Sequence, residues 1–198
     1  MKRKVKLTEG QLHNIVKNSI QQIIKENWET DFNAAMDKRD YIQSKNEYDS
    51  KSWFNRILAM IGGNKPKDPN AKATLEQLLN KYVESFNKEH NIGKRTDYND
   101  GSSFHSSMKY DSEDGYPILS ATHYDSNSGS VAQTRKKFNP NGREEEWGIK
   151  YPYSEIGYTM KDLPKNANDD SKRQYNNFNQ NREEITNVIN SRNNKKGK

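Results

Sequence analysis

Four histidines and no cysteine limit the chemistry open to this chain of 198 residues. His105 and His123 fall in short alternating stretches that read as neighbouring strands, with Asp111 and Asp125 close by in sequence. Two imidazoles and a carboxylate brought together could exchange protons near neutral pH, as a hydrolase requires. A histidine on a half-exposed sheet is equally common with no catalytic role. Without thiols there is no nucleophilic cysteine, no iron–sulfur ligation, no zinc ribbon and no disulfide framework.

Three other groupings could carry chemistry. Turn-forming clusters begin at Asp97, Asp111 and Asp125, a constant interval of 14 residues, and each ends in glycine: Gly101, Gly115 and Gly129. Asn139-Pro140-Asn141-Gly142 follows at the next interval. These resemble calcium loops, but an EF-hand places its glycine one position later and a bidentate glutamate about six residues beyond. Hairpin turns are the reading adopted. The run Glu144-Glu145-Glu146 reads as a solvated strand entry, not a metal site. Arg135, Lys136, Lys137 and Arg143 lie beside Tyr124, Phe138 and Trp147, the mixture that meets phosphates with cations and unpaired bases with rings.

Charge location weighs against that last use. The formal net charge is +6, with a pI near 9.2. Lys2, Arg3, Lys4, Lys6, Lys195, Lys196 and Lys198 lie at the two ends and together exceed the whole excess, so the middle of the chain is close to neutral. No nucleophile elbow, zinc-protease helix, phosphate-binding glycine loop or dinucleotide fingerprint occurs. No catalytic residue is assigned and no metal or cofactor is expected, which points away from an enzyme.

The elements that would position these residues follow from periodicity. Thr8 to Gln11 has capping-box spacing and opens a helix to about Glu26, with Leu12, Ile15, Val16, Ile20, Ile23 and Ile24 as its apolar stripe. A second helix is expected from about Thr30 to Lys45, through Phe32, Ala35, Met36 and Ile42. A dense third, Trp53 to Ile61, stops at Gly62-Gly63. Pro66 and Pro69 break the chain before a fourth, from about Asn70 to His90, with Leu75, Leu78, Leu79, Tyr82, Val83 and Phe86 on one face. The third and fourth helices are expected to form the core.

Beyond Gly93 the period becomes two. Phe104, Met108 and Tyr110 share one strand face, and Trp147, Ile149, Tyr151 and Tyr153 another. The repeated turns make this an antiparallel meander, with the basic strand Val131 to Phe138 as a soluble edge. A last helix, about Ser171 to Ser191, would cover one sheet face through Tyr175, Phe178, Ile185, Val188 and Ile189, ahead of a free basic tail. The fold class is therefore α+β: N-terminal helices, a small antiparallel β-meander and a C-terminal helix. The expected division is a docking or targeting helix over 1–27, a helical region over 28–93, and the meander with its helix over 94–198.

No run approaches the roughly 18 apolar residues that span a bilayer, and Met1-Lys2-Arg3-Lys4 does not lead into a signal-peptide core. No membrane partner is expected.

Residues 6–26, KLTEGQLHNIVKNSIQQIIKE, resemble an N-terminal segment found on many otherwise unrelated, mostly uncharacterised proteins of gut Bacteroidales tailed phages, including crAss-like phages. Its pattern is approximately K/R-L-T-E-x-x-L-H-x-I-V/I-K-x-S-V/I-x-x-I/V-L/I-K/R-E. Gly10 departs from the usual serine or similar residue. One leader on many bodies implies an address or docking tag, its stripe laid in a partner's groove. The alternative is that this helix packs on the third and fourth. The function expected is a non-enzymatic, virion-associated, structural or packaged phage accessory protein in the virion or host cytoplasm. It would bind a protein partner: a capsid, portal or tail component, or a second copy. A nucleic-acid-binding accessory protein is the alternative, and a hydrolase using His105 and His123 the third.

Overall fold

The computed structural model describes residues 8–126, 129–151 and 168–197, and of residues 9–27, 130 and 148–151 the backbone alone. The architecture is α+β: helices α1 (Glu9–Ser50), α2 (Trp53–Ile61) and α3 (Leu75–Glu89), strands β1 (Arg95–Asp97), β2 (Ser103–Tyr110), β3 (Pro117–Asp125), β4 (Ser130–Phe138) and β5 (Glu144–Tyr151), then helix α4 (Asp169–Lys196). The strands form one antiparallel sheet in the order β1-β2-β3-β4-β5.

The first two expected helices are one. No glycine or proline occurs between positions 11 and 61, so nothing breaks α1, which runs 42 residues, about 63 Å at 1.5 Å per residue. Trp28, at the expected boundary, is instead fully buried with Phe32, Ala35 and Met36. These pack on Leu78, Leu79, Tyr82 and Phe86 of α3. Phe86 meets Trp28 edge-on at 4.8 Å between ring centroids, and Tyr82 meets Phe32 likewise at 5.4 Å. The fourth expected helix starts later than Asn70. Thr74 caps α3, accepting from the Gln77 amide at 3.2 Å while Gln77 Oε1 accepts from the Thr74 amide at 2.9 Å, a reciprocal capping box.

The sheet presents Phe104, Met108, Leu119, Ala121 and Phe138 to the helices, and α4 adds Phe178, Ile185, Val188 and Ile189. Here β4 is not an edge, because it pairs with β3 on one side and β5 on the other. The three-residue β1 leaves part of β2 without a strand neighbour. Asn87 of α3 fills that gap, donating to the Met108 carbonyl at 3.1 Å and accepting from its amide at 2.9 Å. The expected free basic tail is partly helix, with Lys195 and Lys196 closing α4 and Lys196 paired to Asp40.

The repeated turns are hairpin turns. Asp111 accepts from the Glu113 amide at 2.9 Å and Asp114 from the Tyr116 amide at 3.0 Å, while Asn139 accepts from Asn141 and Arg143 at 3.0 and 3.1 Å. Their side-chain oxygens serve the backbone, which is why these residue types recur there. Gly115 has φ +72°, and a Cβ there would lie 3.0 Å from Leu79 and 3.2 Å from Met36. Its carbonyl also accepts from buried Tyr82 at 2.8 Å, so this turn is a knuckle driven between α1 and α3.

Candidate functional site

The helix expected at the centre of the core lies on the surface. Ser52 caps α2, its hydroxyl accepting from the Asn55 amide, and Gly62 ends it. At 100° per residue, Met60, Trp53, Ile57, Ile61, Phe54 and Leu58 cover an unbroken arc of about 160°. None of these side chains is buried: Trp53 is 67% exposed, Ile61 79%, and the other four more than a third. The side turned to the body carries Arg56 and Ala59, both half-buried. Tyr48, near the end of α1, donates its hydroxyl to the Arg56 carbonyl at 3.1 Å.

Lys51, Arg56 and Lys65 lie on or beside this helix in the chain, and Lys67 lines a cleft with Asp37, Asp40 and Lys196. None has an ion-pair partner among the described residues. The neighbouring Asp68 is engaged, holding Lys38 of α1 at 2.6 Å. That hydrogen bond keeps the Asp68 carboxyl below its ordinary value. The result is an apolar patch with a cationic rim, Lys51 before the helix and Lys65 after it.

The other candidate residues are dispersed. In the β2–β3 register Phe104 faces His123 and His105 faces Thr122, so the two histidines point to opposite faces of the sheet. His123 is buried, with Nε2 3.2 Å from the Ser171 hydroxyl, and burial lowers its pKa against the opposing pull of Asp125 and Asp100. The proton-exchanging pair does not form. The basic strand is divided in the same way. Lys136 points inward, 3.3 Å from Glu144 and 3.1 Å from Glu146. Lys137 lies on the opposite face, 3.0 Å from Asp111 and 3.5 Å from Asp114, and Arg135 lies over the Trp147 ring at 5.7 Å. Of the four cations expected to meet phosphates, Arg135 and exposed Arg143 remain without a carboxylate partner among the described residues. The glutamate run opens β5 with Glu145 and Glu146 exposed, the solvated strand entry expected, and Glu144 and Glu146 also pair with Lys136 while Glu144 accepts from Arg182 at 3.0 Å. The stripe Leu12, Ile15, Val16, Ile20, Ile23 and Ile24 belongs to the backbone of α1, and its side chains lie outside the described residues, as does Tyr153.

One cluster was not anticipated. Glu89 and His90 at the end of α3 and Glu184 of α4 place potential ligand atoms within 4.8 Å of one another. His90 Nε2 is 3.4 Å from Glu184 Oε1, which also accepts from Trp28 Nε1 at 2.8 Å. Two carboxylates and an imidazole are a donor set that could hold a divalent cation, and as they stand they tie α1, α3 and α4 together. The only sequence cue was Glu89-His90 adjacency, because Glu184 is supplied by a distant helix.

Comparison with family models, characterised proteins and solved structures returns no match. The functional reading rests on this chain's own residues.

Proposed function

We propose that this protein acts by binding, as a virion-associated, structural or packaged accessory protein of a tailed phage, in the virion or host cytoplasm. The observation that supports this reading is the exposed face of α2. Six large apolar side chains that stay 37–79% exposed forgo part of the about 1.5–3 kcal/mol that full burial of each would give, together several kcal/mol against the roughly 5–15 kcal/mol that holds a typical domain folded. An exposed apolar patch of this kind is the mark of an interaction surface. In this reading the leader stripe Leu12, Ile15, Val16, Ile20, Ile23 and Ile24 is a second contact, docking on a capsid, portal or tail component or on another copy.

The test is affinity capture from infected-cell lysate with three full-length proteins: wild type, Trp53→Ser/Phe54→Ser/Ile61→Ser, and Ile15→Lys/Ile20→Lys. Loss of specific material from either variant, with unchanged circular dichroism, is the expected result. Identical captured material from all three would refute the reading.

A further inference from the structure

We propose that α2 is an interfacial anchor that lays its apolar face into the surface of an anionic lipid bilayer. This deepens the binding reading by naming the occupant of the exposed patch. The helix has 9 residues, about 14 Å of length, against a hydrocarbon core of about 30 Å. It therefore lies in the membrane plane and does not cross it, in keeping with the finding that no described helix is long and apolar enough to span. The proposed contact departs from the expectation of no membrane partner, because the absence of a spanning segment does not bear on a helix lying in the membrane surface.

Composition and charge together favour this occupant. The apolar arc contains no polar side chain, and its N-terminal end carries Trp53 and Phe54 with ring centroids 6.3 Å apart. Such aromatic and aliphatic faces settle at the boundary between headgroups and acyl chains. Between residues 45 and 68 the chain carries Lys45, Lys51, Arg56, Lys65 and Lys67 against Glu47, Asp49 and Asp68. Asp68 is already taken by Lys38 and Lys67 lines a cleft with Asp37 and Asp40, so the positive rim of the helix rests on Lys51, Arg56 and Lys65. A second copy docked face to face would bring two such rims together, which like charges oppose. An anionic bilayer complements the rim and accepts the apolar arc without a matching groove. The described contact from α1 meets the helix at the Arg56 backbone and not at a residue of this arc. The Tyr48 hydroxyl holds the body-facing side at Arg56, and beyond Ile61 the chain leaves through Gly62 and Gly63, the latter with φ +72° and nothing within 4 Å of a Cβ position.

The experiment is vesicle flotation with the full-length protein, using vesicles of equal parts phosphatidylcholine and phosphatidylglycerol and vesicles of phosphatidylcholine alone. Tryptophan emission is read in parallel. Trp28 is already buried, so a blue shift that disappears in Trp53→Phe reports insertion of α2. The expected result is binding to the anionic vesicles, weakened by salt and on phosphatidylcholine alone. Trp53→Ser/Ile61→Ser should lower it by at least about tenfold, and Lys51→Gln/Lys65→Gln by about 25-fold, near fivefold per cation. Both variants change exposed side chains, and unchanged thermal melting confirms that they fold. No binding by the wild type, or binding unaffected by the α2 substitutions, overturns the proposal. In that case α2-dependent dimerisation in sedimentation would assign the face to a second copy, and α2-dependent capture of a phage or host protein would assign it to that partner while the binding reading stands. Absence of vesicle binding together with identical captured material from wild type and both capture variants removes the binding reading as well.

Discussion

At Lys136 two sequence rules point in opposite directions. Charge density says that a strand rich in Arg135, Lys136 and Lys137 belongs at a solvated edge. Alternation says that Ala132, Thr134, Lys136 and Phe138 share a face, and that face is the buried one. Alternation wins because the register is locked on both sides of β4, and Lys136 is accommodated by Glu144 and Glu146, with Thr134 donating to Glu146 at 3.3 Å. Lys136→Met would leave Glu146 without its cation and Glu144 with Arg182 alone. We expect a loss of about 3 kcal/mol in urea denaturation. Adding Glu144→Gln and Glu146→Gln should recover most of it, whereas a solvated lysine would show neither the loss nor the recovery. The same register argument separates His105 from His123. Both residues are visible in the sequence, but their faces are not until the pairing is known to one residue.

Helices α2 and α3 show what amphipathic pattern does and does not specify. Each has a continuous apolar face at helical spacing, and each is expected in the core on that ground. In α3 that face meets α1 and the Gly115 turn. In α2 it meets solvent, and the body-facing side is the poorer one, Arg56 and Ala59. Periodicity states that a face wants covering, not what covers it. The stability consequences differ accordingly. Phe86→Ala should cost about 3–5 kcal/mol through the cavity left against Trp28 and His90, read from the urea midpoint. Trp53→Ser/Ile61→Ser should change stability by less than about 0.5 kcal/mol. A large loss from the second pair would mean that α2 supports the fold and that its exposure is not a binding feature.

The whole molecule is held by ion pairs as well as by its core. Arg192 of α4 bridges Asp37 and Asp40 of α1 at 2.7 and 2.8 Å, Lys196 also pairs with Asp40, and Lys81 of α3 reaches buried Asp31 at 2.7 Å. Burial pushes the Asp40 carboxyl up, but hydrogen bonds from Lys196 and Arg39 outweigh it and leave the group below its ordinary value. Asp111 behaves likewise through burial opposed by the Glu113 amide and Lys137, and Asp100 is lowered first by Asn168. Because these carboxyls are lowered on folding, their contribution is full above the unfolded value of about 3.9 and is lost as pH falls from there through the folded values. His123, also lowered by burial, contributes fully above about 6.5 and loses its part as pH falls below that. Urea midpoints measured against pH should therefore fall in two steps, a small one below about 6.5 that His123→Gln removes and a larger one below about 3.9 that Asp40→Asn makes shallower.

The fold class, the meander with its turns, and most of the residues that fill the core are legible in the linear chain. Turn chemistry, strand alternation and helix caps act over a few residues, so they can be read locally. The separate apolar segment at Trp53 to Ile61 and its glycine stop are legible in the same way. Three-dimensional packing was needed to establish that α1 is continuous through Trp28, that β4 is central, and that Lys136 lies between acids. The same holds for the opposite faces of His105 and His123, and for the outward turn of α2. Each of these depends on which element packs against which. That choice is set by the summed burial of the whole chain, and a repeating pattern within one segment does not contain it.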